Sequence, residues 1–151
     1  MTIFVDMDGV LFDFDSHYEA VFGVRASKVA DNVDWKRVSA HPNFYATMPL
    51  MPDALELWRY VSRHSPTILT GVPASIEEAP GNKRAAIARH ISPHVPVICC
   101  RSREKFVHGK PGDVLIDDWT KYRDLWEGIG GIWITHSSAR TTIKALRELG
   151  L

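Results

Sequence analysis

The chain has 151 residues, 45% hydrophobic and 24% charged, which is the size and composition of one globular domain with its own core. Eighteen Lys and Arg balance eighteen Asp and Glu, so no net charge draws the chain to nucleic acid or an anionic membrane, which argues against a basic DNA-binding module. No apolar stretch approaches the roughly 20 residues that span a bilayer, and the N-terminus lacks the basic and apolar regions of a signal peptide.

In chain order, short apolar runs recur at 3–5, 67–69, 95–99, 114–116 and 132–134, with helix-like segments between them. That alternation predicts an α/β fold, a doubly wound, Rossmann-like parallel sheet of about five strands. Pro52 opens a predicted helix over 53–63, where Ala54, Leu57, Trp58 and Val61 form one stripe. Further helices are predicted over 83–91, with Ala86, Ile87 and Ile91 in similar spacing, and over 119–127. A last one spans 141–149 and stops at Gly150. The 37 positions of 15–51 are too long for a plain connection. They carry Tyr18, Phe22, Trp35, Phe44 and Tyr45, so they read as a small helical cap standing over the sheet. The division is therefore 1–14 and 52–151 for the core and 15–51 for the cap.

The adjacent Cys99 and Cys100 would point to opposite faces of a strand, so they read as buried free thiols of a reducing cytoplasm. The seven histidines are scattered without metal-ligand spacing, so zinc is not indicated.

The strand ends carry the chemistry. The first run ends in "DMDG", giving Asp6 and Asp8; "TILTG" ends in Thr70; "VLIDD" ends in Asp117 and Asp118. In a parallel sheet these carboxyl ends share one edge, where open α/β folds bind ligands. Four carboxylates packed there oppose one another's ionisation unless a cation is present. All-oxygen donors favour a hard ion, Mg²⁺ above all, which in turn leaves positions for water and a substrate phosphate. Lys105 and Lys110 in "SREKFVHGK" are the candidate phosphate lysines. Gly9 lets the chain turn away with no Cβ in the phosphate's path.

Taken in order, "DMDGV" after an apolar strand, a strand-ending Thr, a lysine and "LIDD" resemble the four signature elements of the haloacid dehalogenase superfamily of phosphotransferases, over the whole sheet domain. The resemblance implies that Asp6 is the nucleophile, forming an aspartyl-phosphate. It makes Asp8 the general acid and then the base that activates water. Thr70 and a lysine would hold phosphate oxygens. Magnesium would be bound by Asp6, the main-chain oxygen of Asp8 and Asp118, with Asp117 in support.

More narrowly, "DMDGVLFDF", "HPNFYATMPLMPDALELW", "TILTGVP" and "SREK" before "LIDD" are similar to the 5′(3′)-deoxyribonucleotidases and their phage and bacterial relatives. That resemblance implies a 5′-nucleotidase acting on (deoxy)nucleoside monophosphates. It places Lys105 at the phosphate with Lys110 in reserve, and Phe14, Phe44, Tyr45 and Arg103 around the substrate. Where that family follows the threonine with serine, this chain has Gly71, counted with Thr70 at the phosphate.

Blander readings stand beside these. Asp117 and Asp118 can cap the helix that follows, a threonine can end any strand, and Phe14, Phe44 and Tyr45 can be cap core. Trp58, Trp126 and Trp133 are assigned to packing. Competing functions are a phosphatase for another small phosphomonoester or a nucleic-acid phosphate end, and a receiver-like signalling module, against which the DxD spacing and the long insertion count. The expected partner is a small phosphomonoester, with no membrane and no strong nucleic-acid binding; a homodimer is compatible with the sequence.

Overall fold

The structure is a computed structural model that describes all 151 residues. Strands β1 (Ile3–Val5), β2 (Thr67–Gly71), β3 (Val97–Cys100), β4 (Val114–Asp117) and β5 (Ile132–Thr135) form one sheet, parallel throughout, in the order β3-β2-β1-β4-β5. The predicted α/β architecture is the observed one. β3 begins at Val97 rather than at 95, because Pro96 has no N–H to give to the ladder.

Helices α1 (Phe14–Phe22), α2 (Trp35–Ala40), α3 (Ala54–Val61), α4 (Ala79–His90), α5 (Arg123–Gly128) and α6 (Ala139–Glu148) connect the strands. Short 3₁₀ turns lie at Phe44–Ala46, Ser62–His64, Ser102–His108 and Thr120–Tyr122. α4 starts four residues before the predicted 83, with Pro80 in its first turn, where a missing N–H costs nothing. The helix expected over 119–127 is α-helical only from Arg123; its front half is the tighter 3₁₀ turn. α1 is capped at both ends: Asp13 accepts from the Ser16 amide (3.0 Å), and Gly23 takes the left-handed conformation (φ 69°) that closes its last turn. Asp53 does not cap its own helix, α3; its carboxylate accepts from the Ala139 amide at the start of α6 (2.6 Å), pinning the two helices together.

Strand alternation divides the core unevenly. Ile3, Val5, Ile68, Val114, Ile116 and Ile134 face one side and join a cluster of 27 buried apolar residues with α3, α4, α6 and the 14–48 region. Phe4, Leu69, Leu115 and Trp133 face the other side and join Trp126 of α5 in a buried cluster of five, with Ile98, Cys100 and Phe106 half-buried against it. The long connection after β1 folds on its own aromatics: Phe14 lies 5.5 Å from Phe44, and His17 lies 4.7 Å from it, centroid to centroid. No helix is long and apolar enough to cross a membrane.

Candidate active site

The sheet order places β1 between β2 and β4, with the chain winding outward in both directions. The crevice at the carboxyl end of β1 and β4 is where such a sheet opens to ligands. A cleft of about 510 Å³ sits there, lined among others by Asp6, Asp8, Gly71, Lys105 and Asp117.

β1 itself stops at Val5, so Asp6 and Asp8 lie just beyond the strand rather than in it. The Asp6 amide continues the ladder for one residue by donating to the Ile116 carbonyl (2.9 Å). The chain then turns about Met7, whose carbonyl accepts from the amides of Leu11 and Phe12 (both 2.9 Å) and whose side chain is fully buried. The buried Met7 is what aims its two neighbours to the cleft. Gly9 has φ 82°, and a Cβ there would run into the Asp118 carboxylate. The steric reason for this glycine is thus Asp118 rather than the path of a phosphate.

Three buried lysines meet the four acids. Lys105, in the turn after β3, lies 2.6 Å from Asp117 Oδ2 and 2.8 Å from Asp6 Oδ1. The Asp6 contact is a close charge pairing whose approach leaves that oxygen without a directed hydrogen bond. Lys83, from α4, donates to Asp8 Oδ2 (2.7 Å), Thr70 Oγ1 (3.0 Å) and the Gly71 carbonyl (2.7 Å), its three protons all used. Its ammonium also lies 4.6 Å from the centroid of the Tyr45 ring. Lys28 reaches in from the segment between α1 and α2, donating to the main-chain oxygen of Asp8 (2.9 Å) with Asp118 Oδ1 at 3.8 Å.

Burial and charge act against each other throughout. Burial pushes the Asp6 carboxyl up, but Lys105, Lys28 and Lys83 outweigh it and hold it below the usual carboxylate value. Asp118 is pushed up to about 7, chiefly by burial and against the pull of Lys28, with Asp6, Asp117 and Asp8 adding repulsion. Asp117 is raised as well, by burial first. Burial works against the charge on Lys28, yet Asp8, Asp118, Asp6 and Asp117 more than offset it and its pKa rises.

Of the expected site residues, Asp6, Asp8, Thr70, Gly71, Lys105, Asp117 and Asp118 converge. Tyr45 and Arg103 line the cleft, Tyr45 while as buried in the main apolar cluster as Phe14 and Phe44, which pack there and line no part of the cleft. Their size and apolarity put them in the core, the blander of the two readings. Lys110 is exposed, outside the cleft, and contributes its backbone amide to Asp113. Trp126 and Trp133 pack in the small cluster and also form part of the cleft wall. Lys83 and Lys28 escaped notice. Lys83 had a signal: it precedes Ala86 and Ile87 by three and four, placing a lysine on the apolar stripe of α4. Nothing in "ASKVADN" marks Lys28.

The donor set fits a hard divalent cation. Oxygens of Asp6, Asp117 and Asp118 lie within 4.8 Å of one another, and buried Oδ1 atoms of Asp6, Asp8 and Asp118 have no hydrogen-bond partner. Both oxygens of Asp117 are engaged, one by Lys105 and one by the Trp119 amide (2.8 Å). That second bond does not cap an α-helix, since α5 starts only at Arg123.

No protein-family model and no curated protein matches the sequence. Solved structures do match. A Had-superfamily hydrolase from Ehrlichia chaffeensis aligns with a TM-score of 0.59 at 13% identity, covering 99% of this chain and 97% of that one. A hydrolase from Streptococcus pneumoniae TIGR4 aligns at 0.53 and 12%, covering 98% and 96%. L-2-haloacid dehalogenase from Xanthobacter autotrophicus, with chloropropionic acid covalently bound, aligns at 0.51 and 12%, covering 96% and 87%. At such identities the likeness is one of architecture: over nearly its whole length the chain has the α/β fold of HAD-superfamily hydrolases.

Proposed function

We propose that the protein is a hydrolase of the HAD type. More finely, we read it as a Mg²⁺-dependent phosphomonoester hydrolase with an aspartyl-phosphate intermediate, acting as a 5′-nucleotidase on (deoxy)nucleoside monophosphates. The core is 1–14 and 52–151, with 15–51 as its cap. The observation that carries the reading is the pairing of Asp6 and Asp8 on either side of a buried Met7 at the cleft, Asp6 charge-paired to Lys105 and Asp8 with its Oδ1 unpartnered.

Asp6 is held ionised by its three lysines, as a nucleophile must be. Its carboxylate oxygen attacks phosphorus, and the bond from phosphorus to the leaving oxygen breaks. That oxygen takes a proton from Asp8. Lys83 occupies Asp8 Oδ2, so the free Oδ1 is the oxygen that carries the proton. In the second half Asp8, now a carboxylate, takes a proton from water; the water oxygen attacks phosphorus, and the bond to Asp6 breaks to release phosphate.

Thr70 and Lys105 would steady phosphate oxygens. Asp6, Asp118 and the main-chain oxygen of Asp8 would hold Mg²⁺; Asp117, with both oxygens engaged, supports them. Bound there, the ion supplies charge neutralisation between two anionic reactants.

The dehalogenase neighbour raises a second reading, displacement at carbon. A departing halide needs no proton donor, whereas a departing alkoxide does, and Asp8 supplies one. This favours the phosphoester. Release of inorganic phosphate from a panel of nucleoside monophosphates and sugar phosphates with Mg²⁺ tests the proposal, with chloride release from 2-chloropropionate run in parallel. No phosphate release, or full turnover in Asp6→Asn, defeats it.

A further inference from the structure

The acid cluster is nearly neutralised by the chain itself: four carboxylates, Asp6, Asp8, Asp117 and Asp118, face three buried ammoniums. The three are not equivalent. Lys83 and Lys105 belong to the elements flanking the sheet and are fixed by several acceptors each. Lys28 belongs to the stretch between α1 and α2, which contains neither helix nor strand. Its ammonium rests on the main-chain oxygen of Asp8 and beside Asp118 Oδ1, two of the atoms by which a divalent cation would be held. The Asp118 oxygen lies beyond hydrogen-bond reach of Lys28 and has no other partner.

Apolar packing also ties this stretch to the core, through Ala26 in the main buried cluster and Val33 half-buried against it, but its polar ties are few. Asp31 and Lys121 pair at 3.5 Å, but both side chains are largely exposed, so the pair is weak. The other polar bonds are local or reach α1, among them the Ser27 amide to Asn32 (2.8 Å), the Asp31 amide to the Lys28 carbonyl (3.0 Å), the Asp34 amide to the Tyr18 hydroxyl (3.3 Å) and Arg25 to Glu19 (3.1 Å).

Resting on the metal reading above, we infer that Lys28 is the chain's own occupant of the cation site. In metal-free protein its ammonium stands in for the ion at Asp8 and Asp118. A divalent cation arriving at those oxygens displaces it, because the two cannot share the donors and repel one another at such range. The departure of Lys28 releases the 24–34 stretch from the rim of the cleft, which Lys28 and Asp31 both line. Metal affinity is therefore set by a competition inside the molecule, as when a binding-competent state is only partly populated.

The test uses Mn²⁺ as the probe and the full chain. Free Mn²⁺ is followed by electron paramagnetic resonance in titrations of the wild type, Lys28→Met and Lys28→Arg. Amide hydrogen exchange over 24–34 is measured with and without saturating Mn²⁺. Lys28→Met is expected to bind Mn²⁺ at least tenfold more tightly than the wild type, and Lys28→Arg to stay close to it. In the wild type, Mn²⁺ speeds exchange at the Ser27, Asp31 and Asp34 amides; in Lys28→Met exchange there is fast already and indifferent to the ion. Equal or weaker binding by Lys28→Met overturns the inference while leaving the metal site standing, as does unchanged wild-type exchange at saturation, a reading that needs no variant. Absence of Mn²⁺ binding in every form overturns the metal reading and the inference with it.

Discussion

Lys83 and Asp8 are 75 positions apart, and their side chains meet at 2.7 Å in a place where the lysine has no exposure at all. A buried pair of this kind is costly to break from one side, since the partner left behind keeps its charge without water, at about 3–5 kcal/mol. Lys83→Met is expected to destabilise the protein by that order and to abolish turnover. Adding Asp8→Asn should restore part of the stability and none of the activity. Urea denaturation of the two single variants and the double variant checks the coupling.

Asp118 gives the metal-free protein a pH dependence of definite sign. Its folded pKa of about 7 lies above the ordinary value of 3.8, so the folded state holds the proton more tightly than the unfolded state does. The resulting stability is complete below about pH 4 and is lost as pH rises through about 7. Urea midpoints in EDTA at pH 5 and pH 8 should therefore differ more for the wild type than for Asp118→Asn. A bound divalent cation, favouring the carboxylate, should shrink the difference.

The two glycines beside the acids are expected to respond differently to a methyl group. Gly9→Ala meets the Asp118 carboxylate and must also hold φ 82°, a left-handed conformation costing about 1–2 kcal/mol. At Gly71 the added atom meets only the hydroxyl of Ser102, with the Ser102 Cβ at 3.2 Å. Rotation of that hydroxyl relieves most of the contact. Gly9→Ala should lose most activity and divalent-metal binding, and Gly71→Ala little. Adding Ser102→Gly to Gly71→Ala should return it fully, as steady-state rates would show.

Phe14 is core, so Phe14→Ala is expected to cost about 3–5 kcal/mol of stability, with KM for the best substrate changed far less than for Tyr45→Ala. Thermal melts and steady-state kinetics on the two variants separate the roles.

The sequence exposes what is periodic or clustered. Five apolar runs betray five strands, and "DMDG" and "VLIDD" betray acids that parallel strands must bring to one edge. Terminal details were less legible because they depend on single residues: Pro96 delays β3, and Asp53 serves α6 rather than its own helix. Sites built from long-range pairing hide better still. Lys83 is visible in retrospect as the one cation on an apolar stripe, while Lys28 lies in an unpatterned stretch and acquires its meaning only when the chain folds back over Asp8. Phe14 and Phe44 show the converse, since an aromatic near a reactive site reads alike whether it faces the cleft or the core.

The unequal faces of the sheet bear on how the molecule opens. The main cluster holds 27 buried apolar side chains and the α5-side cluster five, with Ile98, Cys100 and Phe106 half-buried against it, so opening on the α5 side uncovers less apolar surface. Leu115, Trp126 and Trp133 of that thin layer are also cleft wall. Loosening of α5 thus lets water reach the reacting groups from beneath, while the thick face keeps Asp6 fastened to β4. The same layer that is easiest to breach is the one that keeps the chemistry dry.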